Sequence, residues 1–83
     1  LLKTLVLKSM PDVNELKIMN GALPAIEGLY IVSLPGLERV PPGIETLQTL
    51  KKLWLLNLHK NFEADWIGRE MNQKMRHVPQ LRF

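Results

Sequence analysis

The sequence predicts an α/β fold in which parallel strands stack into one sheet and turn-rich returns carry the chain from each strand to the next. Three observations predict it. An aliphatic motif recurs without gaps every 24 residues, as Leu2, Leu5 and Leu7, then Ile26, Leu29 and Ile31, then Leu50, Leu53 and Leu55. Within each copy apolar and outward positions alternate with period 2, the mark of a strand with one buried face. Between copies, Pro and Gly interrupt the chain too often for long helices.

The register extends beyond the strands. Met10, Leu34 and Leu58 share a column, as do Pro11 and Pro35, Val13 and Leu37, Leu16 and Val40, and Leu23 and Leu47. Strands are therefore expected near 4–8, 28–32 and 52–56, with Leu5 and Leu7 inward and Thr4, Val6 and Lys8 outward. Roughly 18 residues separate successive strands, too many for a hairpin and enough for the crossover that parallel pairing needs. Pro11, Gly21 to Pro24, Pro35-Gly36 and Pro41-Pro42-Gly43 mark the turns, and 44–50 is the best helical turn. Val78, Leu81 and Phe83 repeat the template 28 residues after Leu50, which places a fourth strand near 80–83. The extra length falls where Phe62, Trp66, Met71 and Met75 recur at helical spacing, so a capping helix is expected near 63–75. Such a pattern reads as a leucine-rich-repeat solenoid, a right-handed β/α superhelix. It makes 1–83 a single domain, with repeats starting near 2, 26 and 50 and a terminal half-repeat near 78. A closing repeat departs from the rest because it must cover a core with no further neighbour.

Composition narrows the function. A chain of 83 residues holds one small domain with a modest core. Its net charge of +3 is spread along the chain, which argues against nucleic acid as a partner. Without Cys there are no disulfides, thiolate zinc sites or cysteine nucleophiles. No Asn-x-Ser/Thr triplet occurs, and both absences suit a cytoplasmic setting. No apolar run is long enough to span a bilayer, and Leu1 to Leu5 do not read as a signal peptide. The chain starts without Met, already inside the repeat pattern, so upstream repeats are expected to be missing.

Three runs carry a family resemblance: Gly21 to Leu29 (GALPAIEGL), Leu37 to Leu47 (LERVPPGIETL) and Leu50 to Leu55 (LKKLWL). They resemble the closing repeats of coiled-coil-type nucleotide-binding, leucine-rich-repeat disease-resistance proteins of plants, cereals especially. The tail from Lys74 to Phe83 (KMRHVPQLRF) looks like their C-terminus. The resemblance implies innate immunity: recognition of a pathogen effector or a guarded host protein, and intramolecular contacts that hold a nucleotide-binding switch inactive. None of the phosphate loop, nucleotide-binding region or coiled coil lies in these residues. No cofactor is thus expected here, and ATP or ADP belongs to the missing nucleotide-binding domain. The asparagine common after the strand in such repeats is replaced by Met10, Leu34 and Leu58, so the turn must satisfy its backbone groups without an asparagine ladder.

The candidate site is the outward, concave face of the sheet. Equivalent positions stack as rows about 4.8 Å apart: Thr4, Gly28 and Lys52; Val6, Tyr30, Trp54 and Arg82; Lys8, Val32 and Leu56. Tyr30 and Trp54 are expected to touch, and Val6, Val32 and Leu56 extend an apolar strip rimmed by cations. The protein-binding set expected from this is Val6, Lys8, Tyr30, Val32, Lys52, Trp54, Leu56 and Arg82, because Trp, Tyr and Arg dominate binding hot spots. The plainer alternative is that the strip only packs on a neighbouring domain or on the curvature of the sheet itself, which would make the chain a purely intramolecular regulatory or structural end of the solenoid. Phe62, Trp66 and the Met residues are expected to cap and fill the core. Lone His59 and His77 lack ligand-spaced partners, and Glu63 and Asp65 fall in a first helical turn where they oppose its positive end. Lys51-Lys52 reads as solvated, or as steering an acidic partner. No nucleophile, acid/base pair or metal set emerges, so the chain is expected not to be an enzyme. Its uncovered first strand predicts a marginal or self-associating isolated chain. An unrelated scaffold, or the substrate-binding part of a ubiquitin ligase, would share the repeat.

Overall fold

A computed structural model describes residues 2–19, 21 and 23–83; Ala22 of the Gly-Ala-Leu-Pro run and Leu1 of the opening apolar segment lie outside the described residues. Four strands, β1 (Thr4–Lys8), β2 (Gly28–Leu34), β3 (Lys52–Leu58) and β4 (Gln80–Arg82), form one sheet in chain order, every neighbouring pair parallel. Leu5, Leu29, Leu53 and Leu81 lie side by side, as do Val6, Tyr30, Trp54 and Arg82. The 24-residue recurrence thus becomes an unslipped register. At the start of each pairing the same backbone bond recurs. Gly28 N–H donates to Lys3 O (3.0 Å), Lys52 N–H to Glu27 O (3.0 Å) and Gln80 N–H to Lys51 O (3.1 Å).

The inward column of each strand meets the returns behind the sheet. Ile26, Leu29, Ile31, Leu34, Leu37, Val40, Ile44, Leu47, Leu50, Leu53 and Leu55 are all buried in one cluster. Each fully buried aliphatic side chain of this kind stabilises the fold by about 1.5–3 kcal/mol. The 44–50 segment forms a single 3-10 turn, Ile44–Thr46, seating Ile44 in the core. It starts at Gly43, whose φ of 93° favours glycine. Space requires glycine there too, since a Cβ would run into the Ile18 carbonyl of the neighbouring return. Ile18 N–H in turn donates to Pro42 O (2.9 Å), lacing the first return to the second.

β2 and β3 run two residues past the expected ends. The extension passes through Ser33 and Asn57, both left-handed (φ 59° and 54°), and the equivalent Ser9 just after β1 has φ 56°. This shared kink answers how the turn dispenses with an asparagine ladder. Main chain satisfies main chain, with Ser9 N–H on Val32 O (3.0 Å), Met10 N–H on Ser33 O (3.2 Å) and His59 N–H on Leu37 O (3.2 Å).

The single helix expected over 63–75 is two: α1 (Phe62–Gly68) and α2 (Met71–Lys74). Glu70, left-handed at φ 55°, breaks it. The break lets Phe62 and Trp66 on one segment and Met71 and Met75 beyond it all turn into the same core. Trp66 Nε1 then donates to Asn72 Oδ1 at 2.8 Å, so the buried indole is satisfied. Phe83, expected within the last strand, lies just beyond it, its ring edge-on to Trp66 at 5.1 Å.

Leu2 also departs from the sequence reading: it heads the first motif copy, yet it is 53% exposed, whereas its equivalents Ile26 and Leu50 are buried. Met10 is likewise exposed while Leu34 is buried. Both sit in the first coil, which among the described residues packs against the second coil only.

Candidate binding face of the sheet

The pleat that sends Leu29 and Leu53 inward sends Tyr30 and Trp54 outward, and parallel pairing without slippage makes them direct neighbours. Their rings meet edge to face, centroids 4.9 Å apart at 61°. Gly28 makes room for this: a Cβ there would lie 3.3 Å from the Tyr30 hydroxyl, so the phenol lies across the gap that glycine leaves. From β4, the Arg82 guanidinium covers the Trp54 ring at 5.3 Å from its centroid, a cation–π contact. Along one row the order is therefore aliphatic, phenol, indole, guanidinium.

Val6 ends that row 53% exposed. Val32 and Leu56 are half-buried in the adjacent row, which Lys8 begins. Lys52 and Arg82 are exposed, and Gln80 joins Thr4, Gly28 and Lys52 in the third row. All eight residues of the predicted set thus share one face. Sequence reasoning left Gln80 out, although the Val78–Leu81 template already placed it there.

One polar atom on this face is unmet. Trp54 Nε1 is buried and, among the described residues, has no hydrogen-bond partner, a state that costs about 1–3 kcal/mol while it lasts. Lys51 and Glu27, at the margin, approach at 3.8 Å across exposed surface, which adds little.

Behind the sheet lies a feature invisible in the pattern. Asp65 of α1 accepts the Val40 N–H at 2.8 Å through Oδ2 and also takes the Arg69 Nε–H (3.1 and 2.9 Å to its two oxygens). Partial burial pushes its carboxyl up, but the Val40 N–H, the Arg69 hydrogen bond and charge, and the more distant Arg39 together hold it below the usual Asp value. Asp65 does fall in the first helical turn with Glu63, yet its work is to bind the helix to the return that precedes β3. The histidines are also built into the frame. His77 donates from Nε2 to Leu47 O (3.0 Å), and His59 Nδ1 accepts the Asn61 N–H (3.0 Å). Among the described residues, no three His, Asp or Glu side chains gather in metal-binding geometry. No described helix is long and apolar enough to cross a membrane.

An α/β chain with four parallel strands, in which one strand-and-return unit recurs in register and carries an aromatic row on its open face, has the form of a repeat-built protein. No protein-family model matches it, and no solved structure matches it. Curated sequences do. Over 83 residues it is 30% identical to disease resistance protein RPM1 of Arabidopsis thaliana, covering 98% of this chain and 9% of that protein. Over 82 residues it is 24% identical to disease resistance RPP8-like protein 3 of the same plant, covering 99% of this chain and 9% of that one. Its homologues over nearly the whole chain are plant disease resistance proteins, as the resemblance in the sequence implied. The chain spans less than a tenth of the length of these relatives.

Proposed function

We propose that the chain is the closing part of a leucine-rich-repeat solenoid in a cytoplasmic plant immune receptor, and that it acts by protein recognition without catalysis. The sheet face would bind a pathogen effector or a guarded host protein, and the same region would help hold the receptor inactive through contacts with its other domains. The observation that carries this reading is the outward row itself. A soluble surface rarely aligns Val6, Tyr30 and Trp54 with half-buried Val32 and Leu56 beside them unless something covers them. The names of the relatives supply the biological setting.

Tyr30→Ala and Trp54→Ala test it, because both remove aromatic area from the open face and leave the inward column intact. In the receptor, each is expected to weaken the response to its trigger by about tenfold or more, as loss of a hot-spot aromatic does. Unchanged recognition by both variants would remove the face from the binding surface. The regulatory part of the proposal makes a separate prediction: the same variants raise activity in the absence of any trigger.

A further inference from the structure

The charges of the chain are not evenly divided between its surfaces. Its 11 Lys and Arg residues against 8 Asp and Glu give the net +3. Three of those cations, Lys8, Lys52 and Arg82, stand on the outward face of the sheet, while the other outward residues, Thr4, Val6, Gly28, Tyr30, Val32, Trp54, Leu56 and Gln80, include no acid. Removing these three from the 11 leaves 8 cations to balance the 8 acids on the rest of the chain. The outward rows therefore carry three cations and no acid around an apolar and aromatic strip, with Glu27 and Lys51 offsetting one another at its margin. Among the described residues, none of the three is in an ion pair.

Two groups at Trp54 can take a carboxylate. Arg82 is exposed, with its cation over the ring and no carboxylate partner; under a bound segment that excludes water, a bidentate charge-assisted pair is stronger than this exposed cation–π contact. The indole N–H beneath lacks any acceptor among the described residues. A carboxylate meets both.

Resting on the proposal that this face recognises protein, we infer that its partner is an acidic protein segment. An apolar side chain of the segment lies on Tyr30 and Trp54, flanked by carboxylates that reach Lys8, Lys52 and Arg82. The carboxylate at Arg82 draws the guanidinium from the ring and gives the Trp54 N–H its acceptor. Lys8 and Lys52 lie at opposite edges of the row pattern, so the flanking acids are needed on both sides of the apolar residue.

Three synthetic peptides with one shared Leu-Phe-Leu centre, flanked by Glu, by Ser or by Lys, discriminate the outcomes. They would be titrated into the chain while the two indole N–H resonances are followed. The Glu peptide is expected to bind about tenfold or more tighter than the Ser peptide, and to weaken as salt rises from about 50 to about 300 mM. The Lys peptide is expected not to bind. The Trp54 N–H signal should shift and the Trp66 signal stay fixed. The combined Lys8→Gln, Lys52→Gln and Arg82→Gln variant, exposed at all three positions and checked by its unchanged melting, should lose the preference for Glu. Equal binding of Glu and Ser peptides, dependent on Tyr30 and Trp54, would overturn the acidic partner and leave the recognition face standing. A preference for the Glu peptide that survives the triple substitution would overturn it as well. No binding by any peptide, together with an unmoved Trp54 signal and an unaltered trigger response in Tyr30→Ala, would overturn both readings.

Discussion

The first coil and the last solve the same problem differently. In the first, Leu5, Leu7, Val13, Leu16 and Leu23 remain half-buried, although their equivalents one repeat later, Leu29, Ile31, Leu37, Val40 and Leu47, are buried. Side chains in the first coil border an apolar groove of about 240 Å³ that also touches Ile18, Met19 and Pro41. At the other end Phe62, Trp66, Met71 and Met75 close over the core, and all four are buried. The difference teaches that a repeat does not bury its own leucines. Its neighbour does, or a purpose-built cap does.

The strongest way to break this comparison is to unseal the covered end. Trp66→Ala is expected to cost about 3–5 kcal/mol, because it opens a large cavity in the covered core. Leu53→Ala in the central coil should cost about 2–5 kcal/mol. Leu5→Ala, in the same column but at the open end, should cost less than about half as much as Leu53→Ala, since its surroundings are already partly solvated. Urea denaturation of the three variants measures this, and equal losses for Leu5 and Leu53 would mean that the two ends are not different in kind.

A second substitution sharpens the comparison between coils that are held together and coils that are merely adjacent. Gly43→Ala drives a Cβ into the Ile18 carbonyl and forces a residue with a side chain into left-handed φ. The expected loss is at least about 2 kcal/mol, concentrated in the first coil and visible as early hydrogen exchange at the Ile18 amide, whose acceptor is Pro42.

The smallest effect concerns the tether on the covered side. Asp65→Ala leaves the Val40 N–H without its acceptor and should cost about 1–3 kcal/mol. The pH dependence has a definite sign. Asp65 titrates lower in the folded chain than in the unfolded one, so its contribution is complete above the unfolded value, near pH 4, and fades as acid carries the pH down through the folded value. Wild type should therefore lose stability below about pH 4 more steeply than Asp65→Ala. Parallel acid titrations monitored by circular dichroism would show it, and coincident curves would remove Asp65 from the account.

How much of this was legible in the sequence depended on whether a feature repeats. Leu5, Leu29 and Leu53 announce their shared column because three copies state it, and the row Val6, Tyr30, Trp54 and Arg82 follows from alternation alone. Features that occur once stayed hidden. Asp65 reads as a residue complementing a helix end, and only the folded chain brings the Val40 N–H, 25 positions earlier, within its reach. The break falls at Glu70, two residues after Gly68 ends α1; that lone glycine was outweighed in the sequence by helical spacing that runs on to Met75, and the core that Trp66 and Met71 both enter sets where the chain turns. The left-handed column of Ser9, Ser33 and Asn57 does repeat, but through residue types whose presence in a turn is ordinary.

Tyr30 can differ from Val6 in size, and Trp54 from Arg82 in charge, without disturbing Leu29 or Leu53, because neighbouring residues on a strand answer to opposite sides of the sheet. Selection can therefore rewrite what the exterior contacts, one position at a time, while the interior stays as it was. If the face recognises protein as proposed, that separation makes new specificities reachable by single substitutions that keep the chain folded.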